Sequence, residues 1–545
     1  MRLGNGGGRV VFDKLPLLDD PYGDGPGDGW ASLLTLQGEP VWLVHVESPN
    51  YAAVNAVAVD RAGGAVVVAG KAGENTTLWT RVGESDAART DLDVGGGGGF
   101  VASLDAATGA LRWARAFHGE GRSSSVRTVS VCAGGAVLIA GHGSANATVG
   151  DLSFATDRSR FSSFALVALL DGSDGSPKWA RSLGAAWGGG PSGDAVVCHP
   201  EVAAPADASP AAAATAAAVT DTALAVLTSS REGVRVGEPV VIGTTNATRG
   251  DLGVAPGTVV VPDDTLGLSH VLLMRLRLSD GQLMWTRVLE SQGADSARAV
   301  SMSSRGQIFV SGTMRTLLDV RGDGFNGPAF SPPAVEGGGV VAARLHVPGW
   351  KYALGGYVAS YDLVTALPLW VVGIAQGSSH NAFVQEARVA NDEAYGALDG
   401  AAAYFCAIGT TNVTFYRELP AVHAGDDIND APYSELVGTH LDDAAPSRSG
   451  GAVYGRLSAA DGMPRDIWDG DRALLWDIEV LGGGEVVLGG DAMGEVHFGG
   501  ESAVNVDASP TAGLVAMIDI GGVASTPDAP RLKATGAGVL TFSVV

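Results

Sequence analysis

Val54–Gly70 reads VNAVAVDRAGGAVVVAG, and Val126–Gly141 reads VRTVSVCAGGAVLIAG. Each stretch alternates apolar with small or polar residues, turns on Gly and small residues, then runs apolar to a final Gly. Alternation with a period of two on both sides of a tight turn predicts a β-hairpin. The pattern returns at Ala297–Gly312 (ARAVSMSSRGQIFVSG) and Ile478–Gly490 (IEVLGGGEVVLGG). It closes the same way at Tyr404–Gly409 and, in degenerate form, over Ala223–Gly243.

A second hairpin follows each first one. Phe100–Trp113 reads FVASLDAATGALRW, and Phe164–Trp179 reads FALVALLDGSDGSPKW. Val271–Trp285 and Tyr357–Trp370 repeat the plan, and Ala31–Trp42 is a partial copy. The frame is an Asp, a Gly four residues on and a Trp four beyond. Asp105, Gly109 and Trp113 show it in full, as do Asp171, Gly175 and Trp179. It decays elsewhere: Arg277 stands before Gly281 and Trp285, and Asp362 and Trp370 flank Ala366 in place of Gly. Near Gly462, Asp466 stands where Trp is due.

Two hairpins per unit make a four-stranded antiparallel sheet, which cannot bury both of its faces alone. Radial stacking covers each sheet with its neighbour and leaves only short edges. The expected fold is therefore all-β, a β-propeller of four-stranded blades spanning residues 1–545 as one domain. Seven blades fit best and six is the alternative. An orphan half-blade at residues 30–46 is expected to close the ring with C-terminal strands, or else upstream sequence belongs to a longer chain. The frame tryptophans Trp42, Trp113, Trp179, Trp285 and Trp370 are expected to dock one blade against the next.

At this frame the chain resembles the quinoprotein-type (PQQ-like) propeller repeat, whose docking pattern runs A-x-D-x-x-T-G-x-x-x-W. Ser103–Trp113 matches it apart from Ser for Ala. The unit as a whole is similar to propeller repeats of bacterial surface and secreted proteins, as at Gly494–Ala503 (GEVHFGGESA). The resemblance covers most of residues 30–520 and specifies blade packing more than activity. Its enzymatic members would imply pyrroloquinoline quinone, Ca²⁺ and a catalytic Asp and Arg in the funnel. No residue can be matched to those roles, and the adjacent Cys pair that such enzymes often carry is missing. No cofactor is expected, with that quinone and Ca²⁺ as the alternative.

Composition narrows the partners. The net charge of −24 repels phosphate backbones, which excludes nucleic acid as the natural partner. No uncharged apolar stretch reaches the 18 residues of a membrane span. Met1–Gly8 lacks the apolar core of a signal peptide. A monomer offering its funnel and rim loops to a protein or glycan is expected. Catalytic patterns are absent: there is no G-x-S-x-G, H-E-x-x-H or phosphate-binding Gly-rich loop.

Acidic groups at Asp19, Asp20, Asp24 and Asp28, and at Asp426, Asp427 and Asp430, lack the spacing of a calcium loop and read as solvated charge. The Arg-Gly-Asp triplets at 249–251 and 321–323 read as turn chemistry. Four Asn-x-Thr acceptors, at Asn75, Asn146, Asn246 and Asn412, each follow the Gly that ends a second strand. Recurrence at one rim position is the pattern of a secreted or surface-displayed glycoprotein. Cys132, Cys198 and Cys406 read as buried thiols, with one bridge left open. Residues 203–219 and 330–354 read as insertions within blades.

Overall fold

The computed structural model describes residues 2–6, 28–35, 40–60, 62–82, 88–94, 97–118, 124–144, 147–149, 152–154, 163–185, 192–198, 220–229, 234–236, 240–241, 258–259, 270–291, 296–303, 306–315, 317–320, 343–346, 354–376, 387–391, 402–409, 413–418, 434–440, 451–482, 485–498, 501–503, 512–519, 531–532 and 540–543. These residues form antiparallel sheets. The one described helix of three residues or more is a single 3₁₀ turn, Ala133–Gly135. No helix among the described residues is long and apolar enough to cross a membrane. Asn146, Asn246, Asn412, Asp19, Asp20, Asp24, Asp426, Asp427, Asp430, both Arg-Gly-Asp triplets and residues 203–219 lie outside the described residues.

The chain divides into two units, the first made of Met1–Thr35, Glu39–Val288 and Phe325–Phe330. Its first sheet holds Arg2–Gly6, Asp28–Leu34 and Pro40–Glu47 in that order. The second runs Ala52–Asp60, Ala65–Ala72, Gly98–Asp105 and Leu111–His118. The third runs Ser125–Val131, Val137–Ser144, Ser163–Leu170 and Pro177–Ala185. The fourth begins with Ser192–Cys198, Thr222–Ser229 and His270–Arg277. Two expected hairpins per sheet are thus present in the second and third sheets. The degenerate copy near Ala223 differs: its first strand lies upstream, before the Ala-rich insertion, because Ser192–Cys198 pairs with Ala223–Thr228.

The second unit comprises Leu36–Gly38, Leu289–Gly324 and Ser331–Val545. Its fifth sheet runs Ser296–Met302, Gln307–Arg315, Leu354–Asp362 and Pro368–Gln376. The sixth contains two sets of strands joined by one long strand, Pro464–Gly482. The first half of that strand pairs with Gly451–Leu457, and the second half pairs with Glu485–Ala492. It therefore ends one repeat and begins the next without a turn.

A device invisible in any single repeat covers the sheet edges. After the second strand, the chain leaves its own sheet and adds strands to the last strand of the sheet before. Thr76–Val82 pairs with Trp42–Glu47, and Ala88–Leu92 follows it. Ala147–Val149 pairs with Phe117 and His118, and Leu152–Phe154 follows. Val234–Val236 pairs with Leu183–Ala185. The second unit repeats the device: Leu318–Val320 pairs with Leu289–Ser291, and Val413–Arg417 pairs with Val372–Gln376. An outer strand so covered offers no bare row of backbone donors and acceptors to another chain.

Within each unit the cores lie between consecutive sheets, face to face as in propeller blades. Val67, Val101 and Trp113 of the second sheet pack with Val137, Ile139, Phe164 and Leu166 of the third. Leu138, Val167 and Trp179 of the third pack with Val196, Leu224's neighbours Ala223 and Ala225, Leu272 and Met274 of the fourth. In the second unit Phe309, Val358 and Trp370 pack with Phe405, Val453 and Leu457.

The tryptophan frame has a specific geometry. Trp42 donates its indole N–H to the Ala106 carbonyl at 3.0 Å, and Trp113 donates to Gly172 at 2.8 Å. Trp179 donates to Leu278 and Trp370 to Ala459, both at 2.8 Å. Each ring thus reaches from the last strand of its own sheet to the turn of the next. There it lies on the frame glycine: a Cβ added to Gly109 would stand 2.6 Å from the Trp42 ring, and one on Gly175 would stand 2.5 Å from Trp113. Both glycines have positive φ, as do Gly281 and Gly462. At Gly109 and Gly175 the lack of a Cβ meets the dihedral and the contact together. Trp285 is buried.

Candidate functional site: the first-strand row

The Gly that ends each second strand has a different cause. In the hairpin of Ala52–Asp60 with Ala65–Ala72, the register shifts between Val54 and Ala56, so Asn55 is an extra residue. The same shift makes a bulge at Arg127 in the third sheet and at Asp194 in the fourth. In the second unit it falls at Arg298 and at Trp476. The bulge swings a carbonyl over the partner strand. A Cβ on Gly70 would lie 1.9 Å from the Ala53 oxygen, and one on Gly141 would lie 2.0 Å from that of Ser125. Bulges re-aim side chains and gather near functional sites, and in the second, third and fourth sheets they set one polar side chain each along the row of first strands.

In the first unit the bulged side chains reach the neighbouring sheet. Asn55 donates its amide to the Val126 carbonyl at 2.8 Å. Arg127 pairs with Asp194 at 3.1 Å, the carboxylate buried and the guanidinium 43% exposed. Further along the same strands, the Val196 N–H reaches Thr128 Oγ1 and the Cys198 N–H reaches Ser130 Oγ, at 3.4 and 3.3 Å. The rest of the row is small or apolar. Ala56, Val57 and Ala58 are half-buried, as are Val131 and Val197, and Val59 is 51% exposed. Sequence reasoning passed over Asn55, Arg127 and Asp194. The signal was there: a polar residue one place after Val54, Val126 and Gly193.

Cys132 and Cys198, at the ends of adjacent first strands, are joined in a disulfide with Cα atoms 5.2 Å apart. The reading of three buried thiols gives way to one bridge and one buried thiol, Cys406. The partner could not be read from a spacing of 66 residues, because only stacking of the third sheet on the fourth brings the two together.

Other candidates resolve into structural roles. Asp105 Oδ1 accepts from Ala107 N, Thr108 N and Thr108 Oγ1. Its other oxygen takes Arg112 at 2.9 Å. With the Arg112 hydrogen bond as the largest cause, its pKa falls to about 2. Asp171 is held at about 2 chiefly by the Ser173 hydroxyl, with Lys178 at 3.1 Å. Asn75 is exposed with a φ of 54°, and Thr76 Oγ1 donates to the Gly73 carbonyl at 2.7 Å. There Asn-Thr-Thr is the turn into the edge-covering strand, a left-handed position that Asn tolerates. Ser125 Oγ and His142 Nδ1 are 3.2 Å apart in a cleft with Phe117, His118 and Thr148. The Ser–His contact follows from register, since the two residues are cross-strand partners.

Among the described residues no three His, Cys, Asp or Glu side chains are grouped to hold a metal ion. Asp194 is paired with Arg127 across two sheets. The donor set among the described residues does not fit a quinone–calcium centre.

No family model matches the chain, and no curated protein matches it. Among solved structures it is similar to the quinohemoprotein alcohol dehydrogenase ADHIIG from Pseudomonas putida HK5, at 12% identity and a TM-score of 0.29, covering 88% of this chain and 76% of that one. It is also similar to the quinohemoprotein alcohol dehydrogenase from Comamonas testosteroni, at 10% identity and a TM-score of 0.27, covering 83% of this chain and 66% of that one.

Proposed function

We propose that the chain is a non-enzymatic binding or scaffold module of propeller type, secreted or surface-displayed, which presents its first-strand row and rim loops to a protein or glycan. One observation carries the reading. In the first unit the bulged polar side chains are spent on neighbouring sheets, Asn55 on Val126 and Arg127 on Asp194, and the described residues beside them are mostly Ala and Val. Such a surface suits shape-based contact with a partner. An oxidising compartment is supported by the Cys132–Cys198 bridge, and glycosylation by the exposure of Asn75. In this reading residues 30–46 and the C-terminal strands close the ring.

The competing activity is oxidation of an alcohol or sugar with a quinone. Titration with pyrroloquinoline quinone and Ca²⁺, followed by a dye-linked alcohol assay, separates the two. Neither saturable binding nor turnover is expected; saturable binding with turnover would replace the binding-module reading.

A further inference from the structure

The turn between the third and fourth strands is built on one frame in several sheets, and the fifth sheet departs from it. Asp362 Oδ1 accepts from Val364 N, Thr365 N and Thr365 Oγ1 at 2.7–3.0 Å, as Asp105 does from its own turn. Seven residues after the Asp, the second and third sheets place Arg112 and Lys178, each paired with the carboxylate. The fifth places Leu369 there. The second oxygen of Asp362 has no partner among the described residues.

The apolar content changes at the same tip. Val364, Leu367 and Leu369 are 42, 49 and 51% exposed. They stand where the second sheet has Ala107, Ala110 and Arg112 and the third has Ser173, Ser176 and Lys178. Only Tyr51 and Val59 join them as exposed large apolar side chains among the described residues, so the exposure is concentrated in one turn. Clustered apolar exposure beside a polar group marks an interaction site.

We infer that this tip docks a partner protein through an apolar segment carrying a Lys or Arg, whose cation takes the place on Asp362 that Arg112 and Lys178 fill in the sister turns. Charge selects the occupant. At a net charge of −24 the chain attracts a basic segment and repels a second copy of itself. The surface is separate from the first-strand row, and its test does not depend on the function proposed for that row.

The experiment uses the full chain and three labelled ten-residue peptides, identical except for a central Leu-Arg-Leu, Leu-Ser-Leu or Leu-Glu-Leu, read by fluorescence anisotropy. The Arg peptide should bind at least ten-fold tighter than the Glu peptide. Combining Val364→Ala, Leu367→Ala and Leu369→Arg should weaken it ten-fold or more with the melting temperature unchanged. Asp362→Asn keeps an oxygen for the turn and should abolish the preference for Arg over Ser. If the triple variant melts early, Leu369→Arg alone carries the same expectation. Equal binding of all three peptides, no binding of any, or unaltered binding by the variants overturns the proposal. Self-association seen in sedimentation and lost in the triple variant also overturns it, by making a second copy the occupant.

Discussion

The turn at Asp105–Arg112 and the turn at Asp362–Leu369 share a backbone and differ in what they show to solvent. Both carry an Asp that gathers the turn's own N–H groups. In the first, Gly109 takes the left-handed position at φ 70° and Arg112 closes over the carboxylate. In the second, Ala366 holds the same position at φ 58° and Leu369 has no charge to offer the carboxylate. The frame that positions the next sheet is thus independent of the side chains at the tip. The tip is free to acquire a surface role without loss of the fold.

The largest effect should come from the indoles that dock on turns of this frame. Trp113→Ala and Trp179→Ala each remove a buried ring and its hydrogen bond to the next turn, at a cost of about 3–5 kcal/mol. Trp187, outside the frame, should cost far less as Ala. Denaturant midpoints decide, and equal losses at all three positions would break the docking account.

Next in size is the left-handed position itself. Gly109→Ala forces a Cβ against Trp42 in a dihedral unfavourable to Ala, a loss of roughly 1–3 kcal/mol. The reverse change, Ala366→Gly, relieves that dihedral but frees the unfolded chain, so the two terms offset to within about 1 kcal/mol. Thermal melts of both variants sharpen the comparison. A large loss from Ala366→Gly would mean that the Ala methyl, and not the backbone, holds the fifth-sheet turn.

The smallest effect is electrostatic. The Asp105 pKa is about 2, against an ordinary 3.8. Its folded value is depressed, so its contribution is present above pH 4 and is lost as pH falls from about 4 through 2. The group is exposed, and the slope should be slight. Asp105→Asn should flatten melting temperature against pH in that window, while Leu369→Arg should steepen it by giving Asp362 a partner. A profile unchanged in both variants would remove the ion pair from the list of differences between the turns.

What the sequence determined by itself was local. Alternation in VNAVAVD and VRTVSVC, with turns at Gly64 and Gly135, specified hairpins because both strands and their turn lie within about 17 residues of chain. The Asp–Gly–Trp frame was legible for the same reason, its turn hydrogen bonds spanning a few residues. Tertiary structure decided the rest. Thr148 meets His118, and Arg127 meets Asp194, only because one repeat reaches another. Cys198 found Cys132 through stacked first strands, and Gly70 is required by the carbonyl of a residue on the opposite strand. Periodicity records which face of a strand is buried. It does not record which strand comes to lie beside it, because that choice is made by burial between sheets far apart in sequence.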